Sequence, residues 1–229
     1  MTGTPRQRAR ERTLADITRI GRDHLARDGA AALSLRAVAR DLGVVSSAVY
    51  RYVANRDELL TLLVVECYTE LGDAVDAALA AASDDPAAKM RALGHAVRDW
   101  ALREPASYAL LFGSPVPGYR APAERTTGPG TRVITALAGI IDEAYRAGKL
   151  REVHQFPIAD RFRTDAQRIR SELDLTLPDE ALARGVFGWA ALFGAVGFEV
   201  FGQYGPDTFT DPRALFEHHV AVLVDTVGL

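Results

Sequence analysis

The sequence predicts an all-α protein. Three observations on the 229-residue chain predict it. Apolar residues recur at three- and four-residue spacing along most of its length, no stretch alternates apolar and polar residues for long, and Gly, Pro and capping residues punctuate the periodic segments. An apolar content of 48% is ample for a core. Net charge is −3, but its distribution is uneven: residues 1–56 hold eleven Arg and five acids, net +6, which leaves −9 on the remainder. A basic head on an acidic body is the pattern of a module that meets phosphates at one end; a run of solvated Arg gives the same count.

Residues 1–7 are polar and read as a tail. Arg6, Arg8, Arg10 and Arg12 can reach phosphates or a minor groove, or simply keep the tail soluble. A first helix is expected from Arg8 to Arg27, with Leu14, Ile17, His24 and Leu25 along one side and Gly29 ending it. The stretch from Leu33 to Leu60 follows. Ser34 can cap a helix whose stripe is Leu35, Val38, Ala39 and Leu42, and Gly43 can end it by taking a positive φ. A second short helix, about Ser46 to Tyr52, turns Val49 inward. Two short helices joined by a Gly-containing turn make a helix-turn-helix, whose second helix is free to enter a DNA major groove. Asn55 and Glu58 then resemble a capping box that opens a long helix to about Ala82.

Asp85 and Pro86 restart the chain as a helix to about Arg103, and Glu104 and Pro105 open a short one through Phe112. Residues 113–130 hold four Pro and four Gly and read as a loop. An amphipathic helix is expected over Thr131–Ala147, closed by Gly148, then a charged helical piece between Ile158 and Glu172. Pro178 opens a long helix to about Tyr204 that is apolar nearly all round and carries Gly185, Gly188, Gly194 and Gly197, a pattern of close helix approach. Its longest run without charge, Gly185 to Phe198, is shorter than a membrane span and reads as a helix buried at an interface. Asp211 and Pro212 cap a last helix to about Val227, with Leu215, Phe216, His219, Val222 and Leu223 inward.

Leu33 to Leu60 resembles the DNA-binding signature of the TetR family of transcriptional regulators. Ala39, Gly43, Val44, Tyr50 and Leu59 match its pattern, and Val49 and Arg56 are close substitutes. Three positions depart: Val45 stands where Ser or Thr usually caps the recognition helix, Tyr52 where His is usual and Val53 where Phe is usual. Ser46 is the expected replacement cap. The resemblance implies a helix-turn-helix DNA-binding domain, residues 1–55, followed by a helical ligand-binding and dimerisation domain, residues 56–229. It implies a homodimer on a palindromic operator, pairing through the last two long helices, and release from DNA when a small effector binds the body.

The DNA-contact candidates are Arg36, Ser46, Ser47, Ala48, Tyr50, Arg51, Tyr52 and Arg56. Arg51 can pair with guanine or rest on a phosphate, Ser side chains serve several base edges, and Ala48 offers a methyl. Tyr50 and Arg56 stand where similar proteins contact phosphate, and Arg36 is placed to do likewise. His95, Trp100, Tyr108, Phe112, Tyr119 and Tyr145 either line an effector pocket, which would suit a hydrophobic or aromatic compound, or pack the core. The expected dimer contacts are Gly185, Gly188, Phe193, Gly197, Phe216, His219 and Leu223.

Neither G-x-S-x-G nor G-x-x-x-x-G-K-[ST] is present, and the five His are scattered, so no catalytic site, metal or cofactor is expected. Cys67 is the lone cysteine and no apolar leader is visible, which fits a cytoplasmic protein without a membrane partner. The expected function is that of an effector-released repressor. An effector-independent DNA-binding protein, or an enzyme with a site in the body, are the alternatives.

Overall fold

The computed structural model describes residues 4–153 and 156–229. Residues 1–3 of the expected tail, and His154, lie outside them. Ten α-helices are described: α1 (Pro5–Asp28), α2 (Leu35–Asp41), α3 (Ser46–Tyr50), α4 (Arg56–Ala81), α5 (Pro86–Arg103), α6 (Pro105–Phe112), α7 (Ala123–Arg146), α8 (Asp160–Leu173), α9 (Asp179–Val200) and α10 (Pro212–Val227), with no strand among the described residues. The all-α expectation holds.

The chain packs as two units. The first comprises residues 1–70 and 104–130, the second residues 71–103 and 131–229, so α4 and α7 each contribute to both. In the first unit Ile17, Ile20, Leu33, Leu35, Val38, Ala39, Val49, Val53, Leu59, Leu60 and Leu63 form one core. Gly21 lets α1 lie close on α4: a Cβ there would already touch Leu59 at 3.4 Å. His24 is buried and meets Asp41 at 2.6 Å, tying α1 to the end of α2. Leu110, Val116 and Tyr119 pack on the same core, so the segment after α6 is part of the head's packing. The Tyr119 hydroxyl lies 3.1 Å from the Thr61 hydroxyl, and Arg125 donates to Glu58 at 2.8 Å.

Several boundaries differ from the sequence reading. α1 begins at Pro5, not Arg8, because Thr4 and Gln7 cap it reciprocally. Ser34 is the N-cap residue of α2 but its hydroxyl makes no cap bond. Val45, not Ser46, is the N-cap residue of α3, and α3 ends at Tyr50, not Tyr52. Asn55 does cap α4, accepting from the Glu58 N–H at 2.8 Å, while the Glu58 carboxylate goes to Arg125. The expected 113–130 loop stops at Pro122. Residues 123–130 belong to α7 with Pro129 inside it, held by the Arg125–Glu58 pair and by the seating of Gly130 against the Tyr68 ring. The long apolar helix ends at Val200 rather than Tyr204.

In the second unit α9 lies along α10 and both pack on α5. Arg98 of α5 forms a paired contact with Glu199 of α9, at 2.7 and 2.5 Å, and sits over the Phe216 ring of α10 at 5.3 Å. Buried Asp142 accepts from the Thr176 backbone N–H at 2.6 Å and pairs with Arg146. Asp211 caps α10 by accepting from the Ala214 N–H at 3.0 Å. Val220 and Val224 point inward on α10, whereas Val222, expected inward, is exposed. By length and composition α9 is the one helix among the described residues apolar enough to cross a membrane, yet it is a packed member of this bundle.

Candidate nucleic-acid interface

The turn between α2 and α3 is made by Gly43 at φ +72°. A side chain there would be strained, which is why glycine stands at this position. Val49 anchors α3 in the core at 1% exposure, so the opposite side of this short helix faces outward. Ser47, Tyr50 and Arg51 are exposed, while Ser46, Ala48 and Tyr52 are half-buried. Arg36, in the first turn of α2, is exposed too. Neither Arg36 nor Arg51 pairs with a carboxylate among the described residues, so both keep their donors for an outside acceptor. Arg56 is placed differently: its Nη2 donates to the Ala30 and Ala31 carbonyls at 2.9 and 3.3 Å, which clamps the turn after α1. Tyr52 carries the Arg10 guanidinium over its ring at 5.4 Å.

Behind the interface, Arg22 of α1 pairs with Glu70 of α4 and, at 2.9 Å, with Glu104 ahead of α6. The Glu70 carboxylate foremost holds the Arg22 guanidinium above its ordinary range. Cys67 is buried, and burial pushes its thiol up to about 11. The His24 hydrogen bond is the main cause that holds the Asp41 carboxyl below its usual range. None of these contacts was legible in the sequence, because each joins residues that lie between 17 and 82 positions apart.

The six effector-pocket candidates divide between the units. Tyr108, Phe112 and Tyr119 belong to the first, and His95, Trp100 and Tyr145 to the second. Tyr108 is buried and packs on Phe112, with ring centroids 5.0 Å apart; Tyr119 lies on the head's core. His95 stands edge-on to Phe216, and Tyr145 is exposed. Trp100 is 1% exposed and its indole N–H has no partner among the described residues. No group of three or more metal-ligating side chains is assembled among the described residues.

Of the seven expected dimer contacts, four are used inside the chain. Gly185 receives Ile141, Gly188 receives Val227, and Phe216 and Leu223 are buried in the protomer's own core. The exposed apolar residues of these helices are others: Val186, Phe187, Trp189, Phe198 and Val222. Periodicity marked the helices but could not say which side faces a neighbour within the chain. Between α9 and α10 runs a cleft of about 610 Å³, with His219, Phe187, Ala191, Phe198 and Val222 in its walls. Phe193 and Gly197 are half-buried on α9, Phe193 edge-on to Trp189.

A family model described as the tetracyclin repressor-like C-terminal domain matches residues 90–223. The HTH-type transcriptional regulator Rv1816 of Mycobacterium tuberculosis (strain ATCC 25618 / H37Rv) is 45% identical over 227 residues, covering 96% of this chain and 94% of that protein. The crystal structure of the regulatory protein SCO4313 is similar with a TM-score of 0.78 at 34% identity, covering 97% of this chain and 100% of that one. A bacterial regulatory protein in the tetR family from Rhodococcus RHA1 shares the fold at a TM-score of 0.62 and 16% identity, over 94% of this chain and 96% of that one. With a helix-turn-helix at its head and a family match across its body, this chain belongs to the TetR family of DNA-binding transcriptional regulators.

Proposed function

We propose that the protein is a homodimeric, cytoplasmic repressor that leaves a palindromic operator when a small apolar or aromatic effector binds its helical body. The observation that carries the DNA half of this reading is the outward row of Ser47 and Tyr50 on α3 and Arg51 at its C-cap, with Arg36 on α2. Arg51 and the serines read base edges, while Tyr50 and Arg36 hold phosphates. On this reading residues 1–55 are the DNA-binding domain, Arg56 shapes it through the Ala30 and Ala31 carbonyls, and residues 56–229 carry the effector and the partner. The exposed apolar residues of α9 and α10 supply the dimer contact, with Phe187 and Val222 at its centre. On this reading Trp100 is the body's polar handle, because its buried indole N–H finds no acceptor among the described residues and an effector's acceptor would satisfy it. The mechanism is a population shift. The effector favours a body shape in which the two recognition helices are no longer about 34–36 Å apart, one turn of DNA.

Selection of random duplex DNA on the full-length protein tests this reading. A single palindromic consensus, bound by a dimer, is the expected result. Arg51→Ala should weaken that site more than random DNA, and Phe187→Asp should give monomers that bind it poorly. Sequence-blind binding would reject the operator reading in favour of an effector-independent DNA-binding protein, and an unchanged dimer in Phe187→Asp would reject the α9–α10 contact.

A further inference from the structure

We propose that Arg6 and Arg10, on the N-terminal overhang of α1, form a second DNA-contacting element that grips phosphates flanking the half-site read by α3. The proposal rests on the reading of α2 and α3 as the DNA-binding element.

The overhang is helical and serves no core. α1 starts at Pro5, but its first buried residue is Ile17. Residues 5–12 are all exposed, a stretch about 12 Å long at the usual helical rise. The Thr4–Gln7 capping box makes this stretch a defined first turn and already satisfies the free N–H of Gln7, so the arginine side chains themselves are what it presents. A helix that runs on for two turns past the last core contact needs another use for those turns.

The overhang also has a direction. At about 100° per residue, Arg6 and Arg10 lie on the same side of α1 as Ile17, Gly21 and His24, the stripe that packs into the head. They therefore continue that stripe past the edge of the core, on the helix-turn-helix side. The position of Arg10 bears this out: its guanidinium lies over the Tyr52 ring, two residues beyond the end of α3. A cation held over the ring is attracted by its face and keeps N–H donors that no carboxylate among the described residues takes up. Arg8 and Arg12 fall on the opposite side, where the Arg12 Nε turns back onto the Arg8 carbonyl.

The chemistry calls for a polyanion. None of Arg6, Arg8, Arg10 and Arg12 pairs with a carboxylate among the described residues, and the first turn of α1 holds no acid. Cations at the start of a helix oppose its dipole and one another, so this placement works against the stability of the free protein. A phosphate backbone reverses the sign of both effects, and guanidinium groups match phosphate oxygens in pairs. Contact with the element that enters the groove selects DNA over any other anionic partner.

The test uses the full-length protein and the operator obtained by selection, as duplexes ending at the half-sites or carrying about eight further base pairs on each side. Arg6→Gln/Arg10→Gln keeps helix propensity and leaves the Thr4 cap in place. Two lost phosphate contacts lower the magnitude of the log K against log salt slope by about 1.8, at about 0.9 each. Between 50 and 200 mM salt the unaltered protein should therefore lose about twelvefold more affinity than the variant. Trimming the flanks should weaken the unaltered protein and leave the variant unaffected. If the double variant melts early, Arg6→Gln alone, at an exposed residue with no hydrogen bond or ion pair among the described residues, should still lower the slope by about 0.9.

An unchanged slope with unchanged flank dependence overturns the proposal and leaves DNA binding by α3 standing. An equal slope loss in Arg8→Gln/Arg12→Gln also overturns it, because the effect would then be diffuse charge. If the unaltered protein binds no duplex, both this proposal and the DNA-binding reading fall.

Discussion

Replacing Val45 by Thr should stabilise the recognition helix. Val45 is the N-cap residue of α3, with φ −68° and ψ 143°, and no side-chain cap bond reaches the first N–H groups of that helix among the described residues. The backbone is therefore already in the conformation a capping Thr requires, and only the acceptor is missing. Supplying it contributes about 1 kcal/mol. The cost is small: Val45 is 71% exposed, so exchanging one methyl for a hydroxyl gives up about three-tenths of a methyl's burial, about 0.2 kcal/mol. The net gain of about 0.8 kcal/mol corresponds to an opening equilibrium about fourfold less favourable. Amide hydrogen exchange read at Ser47–Tyr50 measures that quantity directly, and Val45→Ala, which removes the side chain without adding an acceptor, is the control. Exchange slowed about fourfold in the Thr variant and not in the Ala variant is the expected result. Equal exchange in the two would refute the reasoning, because the missing cap would then have no energetic meaning.

Glu199→Gln should destabilise the second unit by about 3 kcal/mol or more, since Arg98 and Glu199 side chains are only 8% and 14% exposed and the guanidinium would be left desolvated over Phe216. The double variant Arg98→Met/Glu199→Leu should lose far less than Arg98→Met and Glu199→Leu summed; urea denaturation that finds those two single losses additive would contradict this. The Cys67 thiol, pushed up to about 11 by burial, should alkylate at pH 8 more than about tenfold more slowly in the native protein than in urea, and rapid native alkylation would count against its burial. The depressed Asp41 carboxyl contributes stability that is present above the ordinary Asp range and is lost as the pH falls through its lowered folded value. Acid titration of helicity should thus be shallower at its low-pH end in Asp41→Asn, and identical curves would remove His24–Asp41 from the account.

The helix-turn-helix was legible because its signals are local. A stripe at helical spacing, a glycine at the turn and one inward valine determine α2 and α3 whatever surrounds them. The same holds for the caps Asn55, Asp85 and Asp211, each of which bonds an N–H three residues on. What the sequence could not show depends on distant partners. Pro129 and Gly130 look like loop residues until Tyr68, 62 positions earlier in the chain, is seen against Gly130. Arg56 stands where a phosphate contact is expected, and its bonds to the carbonyls of Ala30 and Ala31, 26 and 25 positions earlier, give no local signal. Gly185 and Gly188 marked close approach correctly, but the approaching groups are Ile141 and Val227 of the same chain. The exposed apolar side of α9 lies on other residues of that helix, Val186, Phe187 and Trp189, and a helix apolar all round offers no way to tell its sides apart.

The segment after α6 bears on how such proteins can diverge. A stretch with Pro115, Pro117, Gly118 and Pro122 has the composition in which relatives usually accumulate insertions and deletions. Here Val116 and Tyr119 complete the hydrophobic cluster of the head, and Tyr119 reaches the Thr61 hydroxyl. Adding or removing one residue between them would shift Tyr119 off Thr61, so the length of this connection is constrained as tightly as that of a core helix. Sequence drift is therefore expected at the exposed Ser114, Pro117 and Arg120, with the spacing from Val116 to Tyr119 left intact.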